Sequence, residues 1–209
     1  MKKAFIYTGG KILPENITEH PKADDMVIAA DSGYKNALTL GERVEILLGD
    51  FDSLGEQNIP KNIEVLKVPA EKDFTDTQLA VQTAIDKGAQ DICIVGGLDG
   101  RLDHTLSNMA ILRDLANKNI YATITNGYNR IRYINSTSTL IARSGFDYLS
   151  LIADGEKVKG VSVEGCKYPL KNATLTNSFQ YAVSNEIEGN CALISVKKGG
   201  IFIVESKNA

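Results

Sequence analysis

The chain has 209 residues, 43% of them hydrophobic, enough for one large domain or two small ones with separate cores. A net charge of −3 supplies no global positive field to draw it to nucleic acid or to an anionic membrane surface. No stretch approaches the ~20 apolar residues that span a bilayer, and the opening MKKAFIYTGG is too short and breaks at a glycine pair, so we read it as a first strand rather than a signal peptide.

In chain order, strand-like runs are KAFIYTG (3–9), MVIAA (26–30), VEILLG (44–49), IEVLKVP (63–69), DICIVGG (91–97) and IYATITN (120–126). Helical patterns lie between them at 34–41, 75–88 and 103–119. Thr75 or Asp76 opens the second helix and Gly88 closes it, while Asp103 precedes the third. In that third helix Leu106, Met109, Ala110, Leu112 and Leu115 form an apolar face. Strands alternating with helices imply an α/β layer with a mainly parallel sheet. After about residue 127 the texture changes to Val, Ile, Tyr, Thr and Ser, with turns expected at ADG, VEG, EGN and KGG. Short strands at roughly ten-residue spacing read as an all-β sandwich. The expected organisation is therefore an α/β domain over 1–127 followed by a β-sandwich domain over 128–209.

In open α/β sheets ligands collect beyond the carboxyl ends of the strands. Here Asp31-Ser32-Gly33 follows the second run, Asp50-Phe51-Asp52-Ser53 the third, Asp73-Phe74-Thr75-Asp76 the fourth, and Asp99-Gly100-Arg101-Leu102-Asp103-His104 the fifth. Any single aspartate is explained as a turn or cap residue. Four acidic loops on one sheet edge would repel each other unless a cation compensated. The pair in LLGDFDSLG poses this most sharply, since two carboxylates ~5–6 Å apart in a partly buried setting cost on the order of a kcal/mol. Three cysteines without C-x-x-C spacing and two histidines argue against disulfides, thiolate zinc and imidazole-rich sites. That leaves oxygen ligands and a hard cation, Mg²⁺, in a reducing cytoplasm. The glycines of VGGLDGRLDH, Gly97 and Gly100 among them, let backbone N–H groups approach an anion. Arg101 adds bidentate phosphate contacts and His104 a further phosphate or proton contact. Together these residue types suggest phosphoryl-type transfer from a nucleotide.

The segments AADSG, LLGDFDS, KDFTDTQLA and GGLDGRLDHTLSNM, in this order and followed by a β-rich part, resemble the thiamine pyrophosphokinase family over essentially the whole chain. The resemblance implies a homodimer of two-domain subunits that converts ATP and thiamine to AMP and thiamine diphosphate with Mg²⁺. It implies catalytic roles for Asp50, Asp52, Asp76 and Asp103, and metal contacts from Asp50, Asp52, Asp73 and Asp76. It assigns nucleotide contacts to Asp31, Gly97, Gly100, Arg101 and His104, and thiamine contacts to Ser184 and Asn185. The chain lacks the tryptophan that some members stack on thiamine, leaving Tyr168, Phe179 or Tyr181 as aromatic substitutes. Two alternatives remain open at this point: a diphosphoryl transferase acting on another alcohol, and a nucleotide- or thiamine-binding sensor.

Overall fold

The computed structural model describes residues 2–49, 63–67 and 73–208. These residues are mostly β, with three α-helices and a short 3-10 helix at Pro14–Asn16, and divide into two compact units, Met1–Gly127 and Tyr128–Ala209.

The first unit contains β1 (Lys3–Tyr7), β2 (Met26–Ala30), α1 (Gly33–Thr39), β3 (Ile46–Gly49), β4 (Glu64–Lys67), α2 (Asp76–Asp86), β5 (Asp91–Val95), α3 (Leu102–Asn117) and β6 (Tyr121–Thr125). Its strands pair in parallel in the order β4-β3-β2-β1-β5-β6. Strands β1, β2 and β5 are apolar almost throughout because helices cover both faces of the sheet. Phe5, Tyr7, Val27, Ala29, Leu47, Cys93 and Val95 form one cluster with Tyr34 and Ala37 of α1. The alternate residues Ile6, Ile28 and Ile94 are fully buried too, and α2 packs on β1, β2 and β3 while α3 packs on β6. Each such side chain contributes roughly 1.5–3 kcal/mol by leaving water.

Helix α2 begins with a complete capping box: the Thr75 hydroxyl accepts from the Gln78 N–H, and the Gln78 side chain accepts from the Thr75 N–H. Helix α3 departs from two expectations. Asp103 lies inside its first turn rather than ahead of it, and the N-cap is Arg101. Its buried face is Asn108, Ile111, Leu112 and Leu115, whereas Leu106 is 57% exposed. The sheet lies one helical step round from where the leucine spacing put it.

The second unit contains β7 (Asn129–Asn135), β8 (Ser138–Ala142), β9 (Tyr148–Glu164), β10 (Leu170–Leu175), β11 (Cys191–Ser195) and β12 (Lys198–Ser206). All pair antiparallel, in the order β7-β12-β9-β11-β8 with β10 also on β9. The expected turn at ADG is absent: β9 runs through it for 17 residues. Its partner changes along the way, β12 along Tyr148–Asp154 and then β10 and β11 along Val158–Glu164. Gly155, at φ +117°, takes a backbone conformation closed to most residues and lets the strand break its alternation without ending. Likewise KGG is not a turn but the start of β12, with a register shift between Lys198 and Gly200. The core gathers Leu149, Leu151, Val158, Val161 and Val163 of β9 with Ile141, Ile194, Ile201 and Ile203. At its edge Glu205, 2% exposed, accepts from both Arg130 and Arg132, the Arg130 pair being bidentate.

Candidate active site

The chain runs outward from β1 through β2, β3 and β4, then returns to the other side of β1 with β5 and β6. The order therefore reverses between β2 and β5, and their carboxyl ends leave a crevice above β1. A cleft of about 330 Å³ lies there, within the usual range for a small-molecule site. Its wall comes from Thr8–Gly10 after β1, Asp31 and Ser32 after β2, Gly97, Asp99 and Arg101 after β5, Thr75–Thr77 at the start of α2, and His104 and Asn108 of α3.

Of the residues expected here, Asp31, Asp76, Gly97, Arg101 and His104 line this cleft together. Asp31 sits at φ +47°, a strained left-handed conformation that aspartate tolerates better than most residues. Its N–H donates to the Leu48 carbonyl at 2.7 Å, which fixes the crossing from β2 to α1. Asp76 occupies the first turn of α2, where the helix dipole favours a negative charge. Gly100 and Asp73 are exposed and do not line the cleft. Asp50 and Asp52 lie outside the described residues.

Asp103 is also outside the wall, and its carboxylate is engaged. Arg101 donates to it through Nε at 3.1 Å and through Nη2 at 2.5 Å, and the His104 N–H donates at 2.9 Å. The hydrogen bond from Arg101 holds the Asp103 carboxyl below the usual carboxylate range. A carboxylate so stabilised is a weaker proton acceptor.

Among the described residues no three His, Cys, Asp or Glu side chains converge to hold a metal. Three carboxylates line the cleft wall, Asp31, Asp76 and Asp99; Asp99 accepts from the Lys11 N–H, and Asp31 and Asp76 are hard oxygen donors. Mg²⁺ commonly takes one or two carboxylates and completes its shell with water and substrate phosphates, so the donor set fits.

Part of the wall carries no charge to mark it in the sequence. Thr8, Gly9 and Gly10 follow a strand just as the aspartates do, and β1 at the reversal point makes its end the floor of the crevice. Asp99 belongs to the acidic loop that the sequence pattern brings to this edge, and it lines the wall. One of its oxygens accepts from the Lys11 N–H at 3.1 Å and ties the loop after β1 to the loop after β5.

In the second unit, Asn185 helps line an apolar hollow of about 120 Å³ with Leu149, Leu151, Val163, Tyr168, Leu170 and Tyr181–Val183. That is room for about one small aromatic ring. The Asn185 carboxamide closes on the Tyr168 backbone, donating to its carbonyl at 2.8 Å and accepting from its N–H at 3.0 Å. Ser184 does not line the hollow. It sits at φ +56°, and its N–H donates to the Ser150 hydroxyl at 3.0 Å. Phe179 and Tyr181 are exposed, with ring centroids 5.5 Å apart.

A family model described as the thiamin pyrophosphokinase catalytic domain matches residues 18–124, and one described as the thiamin pyrophosphokinase vitamin B1 binding domain matches 137–201. The chain is 32% identical over 212 residues to a thiamine pyrophosphokinase of Bacillus subtilis, covering 99% of each. A crystal structure of thiamine pyrophosphokinase from B. subtilis superimposes with a TM-score of 0.89 at 28% identity over 100% of both chains. That of a thiamin pyrophosphokinase from Geobacillus thermodenitrificans gives 0.85 at 27% identity, over 99% of this chain and 98% of the other. With matches to both domains in sequence order and a fold shared along its whole length, the chain belongs to the thiamin pyrophosphokinase family.

Proposed function

We propose that the chain transfers the diphosphoryl group of ATP to the hydroxyl of thiamine, giving thiamine diphosphate and AMP, with the nucleotide bound in the cleft above β1. The observation that carries this reading is the meeting of Asp31, Asp76, Gly97, Arg101 and His104 on one wall at the strand-order reversal. Arg101 supplies guanidinium donors to the phosphates. Asp31 and, as expected from the sequence pattern, Asp50, Asp52 and Asp73 are the residues to hold Mg²⁺, and Asp76 is assigned to the proton. When bound, Mg²⁺ neutralises phosphate charge and so assists the displacement.

The thiamine oxygen forms a bond to the β-phosphorus, and the bond from that phosphorus to the oxygen bridging it to the α-phosphate breaks, so AMP leaves. The hydroxyl proton goes to a carboxylate. Asp103, held low by Arg101, is the weaker acceptor, and Asp76 on the cleft wall takes that role. Asp103 instead orients Arg101.

For the second unit we read the antiparallel strands around the Leu149–Ile203 core as a β-sandwich that carries the thiamine contacts. Ser184 and Asn185 are assigned to thiamine, Asn185 in part through Tyr168, whose backbone it fixes. From the resemblance we carry forward a homodimer working in the cytoplasm. No described helix is long and apolar enough to cross a membrane.

The test is incubation of the protein with ATP, MgCl₂ and thiamine, following AMP and thiamine diphosphate by chromatography. Equal, Mg²⁺-dependent appearance of both supports the assignment. AMP without thiamine diphosphate would mean another acceptor, and neither product in a folded, ATP-binding sample would mean a sensor.

A further inference from the structure

Two polar side chains on the cleft wall are buried, Thr8 at 3% and Asn108 at 4% exposure. The Thr8 hydroxyl bonds back to the Val95 carbonyl within the sheet. Asn108 reaches instead from the second turn of α3 to the loop after β5, where its Nδ2 donates to the Gly97 carbonyl at 2.9 Å. Burying a carboxamide is unfavourable unless it is hydrogen-bonded, so this position is a poor one for asparagine on packing grounds alone. Its neighbours on the same helix face are Ile111, Leu112 and Leu115.

Gly97 is the point at which three segments meet. Its N–H donates to the Gly9 carbonyl at 2.9 Å, its carbonyl accepts from Asn108, and its φ of +68° follows that of Gly96 at +99°. A Cβ on Gly97 would stand 2.6 Å from Asn108 Nδ2 and 2.9 Å from the Thr8 hydroxyl oxygen. The turn is thus held from both ends and has no room for another side chain. A backbone carbonyl on the wall of a cleft that takes a polyanion is unfavourable, because its oxygen carries partial negative charge. The Asn108 amide is the donor that engages that oxygen.

We propose that Asn108 is a positioning residue for the phosphate chain of the nucleotide: its amide holds the Gly97 carbonyl, and through it the glycine turn after β5, in the form that admits an anion. The proposal rests on the assignment of ATP to this cleft. Asn108 acts through Gly97 and takes no part in the proton or bond changes. Its loss therefore weakens the nucleotide and spares the acceptor.

Steady-state kinetics and thermal melts of Asn108→Ala, Asn108→Asp and, as a reference on the same wall, Arg101→Ala test it. Asn108→Ala is expected to raise KM for ATP about tenfold, the equivalent of one hydrogen bond to the turn, with kcat and KM for thiamine within about twofold. Asn108→Asp keeps the shape but sets a carboxylate against the Gly97 carbonyl and the phosphates, so its KM for ATP rises further. A lowered melting temperature with unchanged KM for ATP, or equal rises in both KM values, overturns the proposal and leaves Asn108 a packing residue. If Arg101→Ala also leaves KM for ATP unchanged in an active enzyme, the cleft assignment falls and the proposal with it. Should neither Asn108 variant fold, Asn108→Ser, which shortens the side chain away from the Gly97 carbonyl, takes their place. A selective rise in its KM for ATP supports the proposal, and an unchanged value overturns it.

Discussion

In the first unit the polar wall is built largely by strand ends: the segments after β1, β2 and β5 meet the start of α2 at one edge, and a residue's place there follows from its distance past a strand. In the second unit the wall of the hollow comes from β9, from Tyr168 and Leu170, and from Tyr181–Val183 and Asn185, the last two on an irregular segment pinned across it by Leu149 N–H to Asn185 O at 2.7 Å and Leu151 N–H to Ala182 O at 2.7 Å. The first arrangement sets many charged groups toward solvent for a hydrated anion. The second sets aromatic and aliphatic surface around a single carboxamide, and that carboxamide is spent on the Tyr168 backbone. A parallel sheet suits phosphate because its edge is all loops and helix starts, whereas an antiparallel sheet suits an aromatic ring because its side chains stand off the strands as a wall.

If the two units divide the substrates in this way, their variants divide too. The largest effect is expected from Asp76→Asn, which lowers kcat about a hundredfold or more by removing the proton acceptor while leaving thiamine affinity intact. A kcat within fivefold of wild type, measured at saturating substrates, would move the acceptor role elsewhere. Next comes Glu205→Gln in the second unit, which leaves two guanidinium groups facing each other. Urea denaturation should show a loss of about 3–5 kcal/mol, the cost of breaking a buried ion pair from one side. A loss below about 1 kcal/mol would mean that water already shares those charges.

Asn185→Ala frees the Tyr168 backbone. It is expected to raise KM for thiamine about threefold, as for loss of a solvent-exposed hydrogen-bond pair, with KM for ATP unchanged. A matching rise for ATP would break the division between the units. The smallest effect is a titration. Because Arg101 hydrogen-bonds the ionised form, the Asp103 carboxyl titrates below the ordinary carboxylate range. The stabilisation is present above the ordinary value and is lost only as pH falls through the lowered one. In Arg101→Ala the Asp103 carboxyl resonance, followed by NMR, should titrate at higher pH than in wild type. Coincident curves would show that the pair does not persist in solution.

The elements of the first unit fall within about two residues of where hydrophobic runs and caps place them, because strand and helix periodicity are local properties of the chain. Asp31, Asp76, Gly97 and Arg101 were legible for the same reason: each follows a recognisable run. Asn108 was not. Inside a helical pattern it reads as a mildly unfavourable polar residue, and its partner carbonyl lies 11 residues away in another segment. The engaged state of Asp103 was hidden as well, since spacing reports that Arg101 is near but not which way the guanidinium turns. In β9 the glycine at 155 carried a turn signal that the structure spends on a bulge, because partner strands on both sides of it keep the backbone extended.

By itself the sequence determined the kinds and order of elements, the acidic strand ends and the family motifs, all set by residues within a few positions of one another. Only the tertiary structure decided that β1 lies between β2 and β5, which brings Thr8–Gly10 to the floor of the cleft. It likewise decided which face of α3 is buried, and so that Asn108 meets Gly97. These depend on contacts between distant segments, where a buried polar group is tolerated only if its partner is delivered to it by the fold.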